Sequence, residues 1–116
     1  IRAKFSEQLA EKVAPAHADE AFLLGLFSLL DAILDQPMTE IVRQLPLSEE
    51  LSAALIGHEN TLGNILRVVK SYESASWTSM RKACARFRIE QDILPNMYEL
   101  AIEWADQYKA SNESIL

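Results

Sequence analysis

Fourteen consecutive residues, Ala21 to Leu34 (A-F-L-L-G-L-F-S-L-L-D-A-I-L), hold eleven apolar side chains interrupted by Gly25, Ser28 and Asp31. A helix lying on a protein surface shows an apolar stripe and a polar face, whereas this stretch is apolar nearly all round. It is too short to cross a bilayer, which takes about 20 apolar residues, and it carries Asp31. The stretch therefore predicts a buried central helix with the remaining chain packed on it. Gly25 and Ser28, about one turn apart, mark where a second helix crosses closely, and the Ser28 hydroxyl is expected to bond the preceding turn. A buried charge is costly unless paired or hydrogen-bonded. Asp31 is accordingly expected at the exposed edge of the helix or capping a neighbouring one, the alternative being a buried hinge.

Helical spacing recurs along the chain. Arg2 to Val13 sets Ala3, Phe5, Leu9, Ala10 and Val13 against charged residues and is stopped by Pro15. Asp19 or His17 can cap the central helix, and Pro37 opens a short helix from Met38 to Leu45. Ser48 caps a helix from Glu49 to Ile56, whose first turn carries two glutamates and which Gly57 ends. A longer amphipathic helix spans Leu62 to Ser74. Another runs from Trp77 to Phe87, with Trp77, Met80, Ala83, Cys84 and Phe87 inward. The last spans Gln91 to Lys109, with a stripe of Leu94, Met97, Tyr98, Ala101, Ile102, Ala105 and Tyr108, and residues 111–116 are expected to fray. The fold class expected is all-α. The 116 residues form one domain, a compact helical bundle of about six or seven helices around the buried central helix Ala21–Leu34.

Charge narrows the partners. A formal net charge of −6 opposes nucleic acid and anionic membrane as partners. One cysteine, Cys84, leaves no internal disulfide and suits a reducing, cytoplasmic setting. The N-terminus has no apolar signal segment and no initiator methionine, so the chain reads as a piece of something larger.

Catalytic signatures are missing. The two histidines, His17 and His58, stand in loops as H-A-D and H-E without a third to join them, so a capping or exposed role is expected and no metal site. Cys84 has no histidine on its helix and reads as packing, although nearby arginines could activate a thiol. There is no phosphate-binding glycine loop and no G-x-S-x-G elbow, and no cofactor is expected. The basic side chains Arg81, Lys82, Arg86 and Arg88 form the one candidate ligand or partner face, with a solvated helix surface as the plain alternative.

Several segments occur in a characteristic order. A-F-L-L-G-L-F-S-L-L-D-A-I-L at Ala21, P-M-T-E-I-V at Pro37, L-P-L-S-E-E at Leu45 and A-L-I-G at Ala54 precede L-G-N-I-L at Leu62, Y-E-S-A-S-W at Tyr72 and Y-E-L-A-I-E-W-A at Tyr98. With R-A-K-F-S-E-Q-L-A at Arg2, the succession resembles the C-terminal half of the HDOD domain found in bacterial proteins with an EAL domain upstream. The resemblance implies a relative of HD-type phosphohydrolases without their metal ligands, acting as a regulatory or scaffolding module. It also implies protein partners, namely the upstream EAL domain, self-association, or both. An intact EAL domain hydrolyses cyclic di-GMP, but no E-A-L or E-V-L motif lies in this chain. The expected function is a non-catalytic regulatory module linked to cyclic di-GMP signalling. The alternatives are a degenerate phosphohydrolase-like domain that binds a nucleotide or phosphate, and a pure oligomerisation unit. A full HDOD domain is nearly twice as long, so an apolar face of this half is expected to lie exposed.

Overall fold

The computed structural model describes residues 1–115, with side chains as far as Tyr108. Among these residues every regular element is helical. In order they are α1 (Arg2–Val13), a 3-10 turn (Pro15–His17), α2 (Ala18–Phe27), α3 (Leu30–Leu34), α4 (Met38–Gln44), α5 (Glu49–Leu55), α6 (Thr61–Glu73), α7 (Trp77–Arg86), a second 3-10 turn (Gln91–Ile93) and α8 (Leu94–Ile115). The all-α bundle is the architecture that helical spacing predicts. The backbone of α8 stays helical past residue 111, where a frayed tail was expected, and Leu116 lies outside the described residues.

The centre of the bundle differs from the expectation. Ala21–Leu34 is neither one helix nor buried all round. Its turn at Ser28–Leu29 separates α2 from α3, because the Ser28 hydroxyl donates to the Gly25 carbonyl at 2.8 Å and accepts from Arg2 Nη1 at 3.1 Å. Such a local bond competes with the helical ladder. Ala21, Leu24, Gly25 and Ser28 face inward, while Leu23, Leu26, Leu29, Ile33 and Leu34 are exposed, Ile33 to 70%. Asp31 is exposed too and accepts from the Ala32 amide at 2.9 Å, so it sits at an open edge and is not a buried hinge. Left-handed Asp35 ends α3 just before Pro37.

The buried centre is α1 and α6. Phe5 and Leu9 of α1 and Leu62, Ile65, Val68 and Val69 of α6 are fully enclosed. The Phe5 ring meets Tyr72 of α6 at 5.5 Å and Tyr98 of α8 at 5.3 Å, edge to face in both cases. Arg2 ties the same three-way junction at its rim, with Nη2 2.7 Å from Glu73 Oε1. These helices win the core because each carries a contiguous buried face whose neighbours lie on both sides. α2 buries only Ala21, Leu24 and Gly25, with Ser28 just beyond its end, and leaves Leu23 and Leu26 to solvent.

Two of the start signals act as caps. The Ser48 hydroxyl accepts from the Leu51 amide at 3.1 Å. The Asn60 side chain accepts from the Gly63 amide at 2.7 Å and donates to the Glu50 carbonyl at 3.0 Å, pinning α6 to α5. Neither His17 nor Asp19 supplies a side-chain cap to α2. Gly57 closes α5 at φ 95°, a conformation that side chains resist. Trp77 and Tyr108, expected to face inward, are exposed to 54% and 60%. Each is the outermost member of its stripe, where cover by other helices thins.

Two substitutions test this hierarchy. Phe5→Ala is expected to cost about 3–5 kcal/mol in a urea titration. Gly25→Ala, where the added Cβ meets backbone of Ala3 at 2.7 Å, is expected to cost about 1–3 kcal/mol. Leu26→Ala, on the exposed side of the same helix, should shift the midpoint far less than either.

Candidate functional site

Three places on the molecule bring chemistry-bearing side chains together. The first is an apolar cavity of about 470 Å³ between the start of α1, α2 and α8, lined by Ile1, Ala3, Phe22, Leu26, Trp104, Ala105 and Tyr108. Phe22 and Leu26 lie one helical turn apart on α2, and Trp104 and Tyr108 one turn apart on α8, so each helix offers a pair of large side chains to the same opening. Trp104 stacks on Tyr108 at 5.6 Å and meets Phe22 edge-on at 5.9 Å, and Lys4 Nζ lies 5.5 Å above the indole. Of the exposed leucines on α2, Leu26 lines this cavity.

The second place is the groove between α6 and α7. These helices are joined by a turn of three residues, Ser74–Ser76, with Ala75 at φ 56° and the Ser74 hydroxyl bonding the Lys70 carbonyl at 2.9 Å. A cavity of about 190 Å³ opens there, lined by Arg67, Ser79, Lys82, Ala83 and Arg86. A second of about 120 Å³ adjoins it, sharing Arg67 and adding Lys70, His58 and Gly57 among its walls. Of the basic residues expected to form one face, Lys82 and Arg86 share this groove. Arg81 does not line it, because Ser79, Lys82, Ala83 and Arg86 follow the i, i+3, i+4, i+7 stripe and Arg81 falls off it. Arg88 does not line it either. It takes the left-handed conformation that closes α7, with the Ile89 amide on the Cys84 carbonyl at 3.2 Å. Sequence reasoning missed Arg67, which comes from the other helix of the pair. Its spacing from Lys70 on one face of α6 is the signal that was available.

The third place is where the chain enters α2 and α5. His17 Nδ1 lies 3.7 Å from Glu20 Oε1 and 3.8 Å from Glu50 Oε2, and the three donor atoms fall within 4.8 Å of one another. The Ser48 hydroxyl donates to Glu20 Oε2 at 2.8 Å, so the cap of α5 also orients this carboxylate. The separations to the imidazole exceed a hydrogen bond. Three protein donors is the number a catalytic zinc takes, and all three residues are half-buried. Spacing along the chain shows His17 and Glu20 on one side of a turn, but Glu50 arrives through space. His58 stands apart, on the wall of the smaller cavity between α5 and α6.

Cys84 is buried, and burial pushes its thiol above the ordinary value of 9.0. The nearby arginines do not activate it, and it is core packing. A folded thiol that holds its proton more tightly than the unfolded one contributes stability that is complete below pH about 9 and lost as pH rises through the folded value. The urea midpoint is therefore expected to fall more steeply above pH 9 in the native protein than in Cys84→Ala. Ellman's reagent should label Cys84 slowly until denaturant is added.

Comparison with known proteins places the chain beside longer ones. Over 106 residues, 90% of its length, it is 36% identical to the uncharacterized protein YuxH of Bacillus subtilis. Over 106 residues it is also 34% identical to the cyclic di-GMP phosphodiesterase CdgJ of Vibrio cholerae. The matched residues make up 25% and 24% of those two proteins, so the chain spans about a quarter of the curated relatives it matches. No family model matches it, and no solved structure does. Among the described residues, no single helix is long and apolar enough to cross a membrane.

Proposed function

We propose that this chain is an HDOD-type, non-catalytic regulatory module of a larger bacterial signalling protein concerned with cyclic di-GMP, working by helix–helix contact in the cytoplasm. The observation that carries the reading is the similarity over 90% of the chain to about a quarter of a cyclic di-GMP phosphodiesterase. The matched quarter is all helix here and has no E-A-L or E-V-L motif, so the module acts on a hydrolytic domain elsewhere in its parent.

The apolar cavity between α2 and α8 is the contact surface in this reading. Leu26 lines it beside the aromatic pair Trp104 and Tyr108, and Leu23, Leu29, Ile33 and Leu34 along α2, the turn after it and α3 are exposed as well. An uncovered run of this kind is costly in water unless another surface closes it. The upstream EAL domain, a second copy, or both supply that surface.

Hydrolysis assays separate the regulatory reading from the enzymatic one. Supplied with cyclic di-GMP and Mg²⁺ or Mn²⁺, the isolated chain should release no linear product. Any turnover overturns the proposal, and loss of that turnover in His17→Ala would move the chemistry to His17, Glu20 and Glu50. In a protein that retains the upstream domain, Leu26→Glu should change the hydrolysis rate severalfold while leaving the melting temperature of the module nearly unchanged.

A further inference from the structure

Charge is unevenly placed along this acidic chain. Residues Asn60 to Arg88 hold six basic side chains and one acidic, whereas the remainder holds five basic and sixteen acidic. Folding concentrates the basic segment further, because α6 and α7 pair through their short turn and bring Arg67, Lys82 and Arg86 to one groove, with Lys70 on the wall of a second cavity that shares Arg67 on the α5 side of α6. Like charges held together repel, and they persist together where something anionic compensates them.

Part of that compensation is visible. The Glu59 carboxylate, from the exposed loop between α5 and α6, bonds Arg86 Nη1 and stands 4.0 Å from Arg67 Nη1. Arg86 Nη1 also donates to Asn64 Oδ1 at 3.1 Å. A single carboxylate oxygen thus marks where an anion sits between two guanidinium groups from different helices. Lys70 and Lys82, at the walls of the two cavities, have no carboxylate within 4.0 Å among the described residues. One charge of −1 is set against four of +1.

From this arrangement we infer that the α6–α7 groove is a binding site for a phosphoryl anion, which displaces Glu59. Arg67 and Arg86 grip the phosphoryl oxygens through the paired N–H donors that suit phosphate. Lys82 adds charge and Ser79 a hydroxyl donor from the wall. Two adjoining cavities that share Arg67 fit two linked phosphoryl groups better than one. Volumes of about 190 and 120 Å³ hold phosphates and leave a nucleoside outside. The ligand class is therefore a diphosphate group, free or borne on a small metabolite. This inference is independent of the regulatory reading, since the groove lies on α6 and α7 and the apolar contact surface on α2 and α8.

Glu59 gives the inference its sharpest test, because removing a competing anion and removing a cation must act in opposite directions. Isothermal titration of the whole chain with pyrophosphate at low salt should show saturable binding, at least tenfold tighter than orthophosphate or sulfate. Glu59→Gln should tighten it severalfold. Lys82→Ala and Arg86→Ala should weaken it tenfold or more, and Arg88→Ala, outside both cavities, should leave it within twofold. Circular dichroism of each variant confirms the fold, and Lys82, which makes no ion pair, guards against a loss that reflects Arg86 in its structural contacts. Titration with adenosine diphosphate in parallel separates a borne diphosphate from a free one. No saturation at millimolar pyrophosphate, equal or weaker binding in Glu59→Gln, or polyglutamate matching pyrophosphate would each overturn the inference.

Discussion

A Cβ atom on residue 25 would stand 2.7 Å from the Cα of Ala3 and 2.7 Å from the carbonyl oxygen of Arg2. The backbones of α1 and α2 therefore cross with no side chain between them, and much of the bundle is set by that crossing. It lowers Arg2 to where its guanidinium reaches both Ser28 and Glu73. It places Phe5 between Tyr72 and Tyr98, which fixes α6 and α8 about α1. It also commits the face of α2 that carries Gly25 to the interior, leaving Leu23 and Leu26 on the other side facing water. The exposed apolar surface is thus a geometric result of the close contact.

The molecule separates its two kinds of surface. Apolar side chains gather where α1, α2 and α8 meet, and cations gather on α6 and α7. Between them lies the shared core of Phe5, Leu9, Ile65 and Val69. A hydrophobic contact is closed by excluding water and is insensitive to salt, whereas a cationic groove at the surface weakens as ionic strength rises. The two proposed contacts would therefore answer differently to ionic strength.

Much of the fold was legible because its signals are local. Pro15 and Pro37 stop or start helices by removing an amide, Ser48 accepts from the third residue on, and Gly25 with Ser28 marks a crossing that the structure places at α1. What could not be read is what depends on distance in space. The fourteen-residue apolar run states that its side chains avoid water, but whether neighbours cover every side depends on helices remote in sequence. The same holds for the sites. Lys82 and Arg86 were legible as one face of α7, but Arg67 joins them from α6, and Glu50 reaches His17 from across the bundle. Arg81 and Arg88 were grouped with the groove by nearness in sequence, which helical rotation and a left-handed helix end undo.

The turn at Ser74–Ser76 has a kinetic meaning as well. Ser76 donates its amide to the Ser71 carbonyl at 2.9 Å, and its hydroxyl pairs with that of Ser74 at 2.9 Å, so the reversal is closed by its own residues. Closing a loop this short costs little chain entropy, and contacts between neighbours in sequence form early. The three cations that line the α6–α7 groove, Arg67, Lys82 and Arg86, lie within twenty consecutive residues. The α6–α7 cavity is thus built from one helical hairpin, local in sequence, whereas the apolar cavity needs α1, α2 and α8 brought together from both ends of the chain.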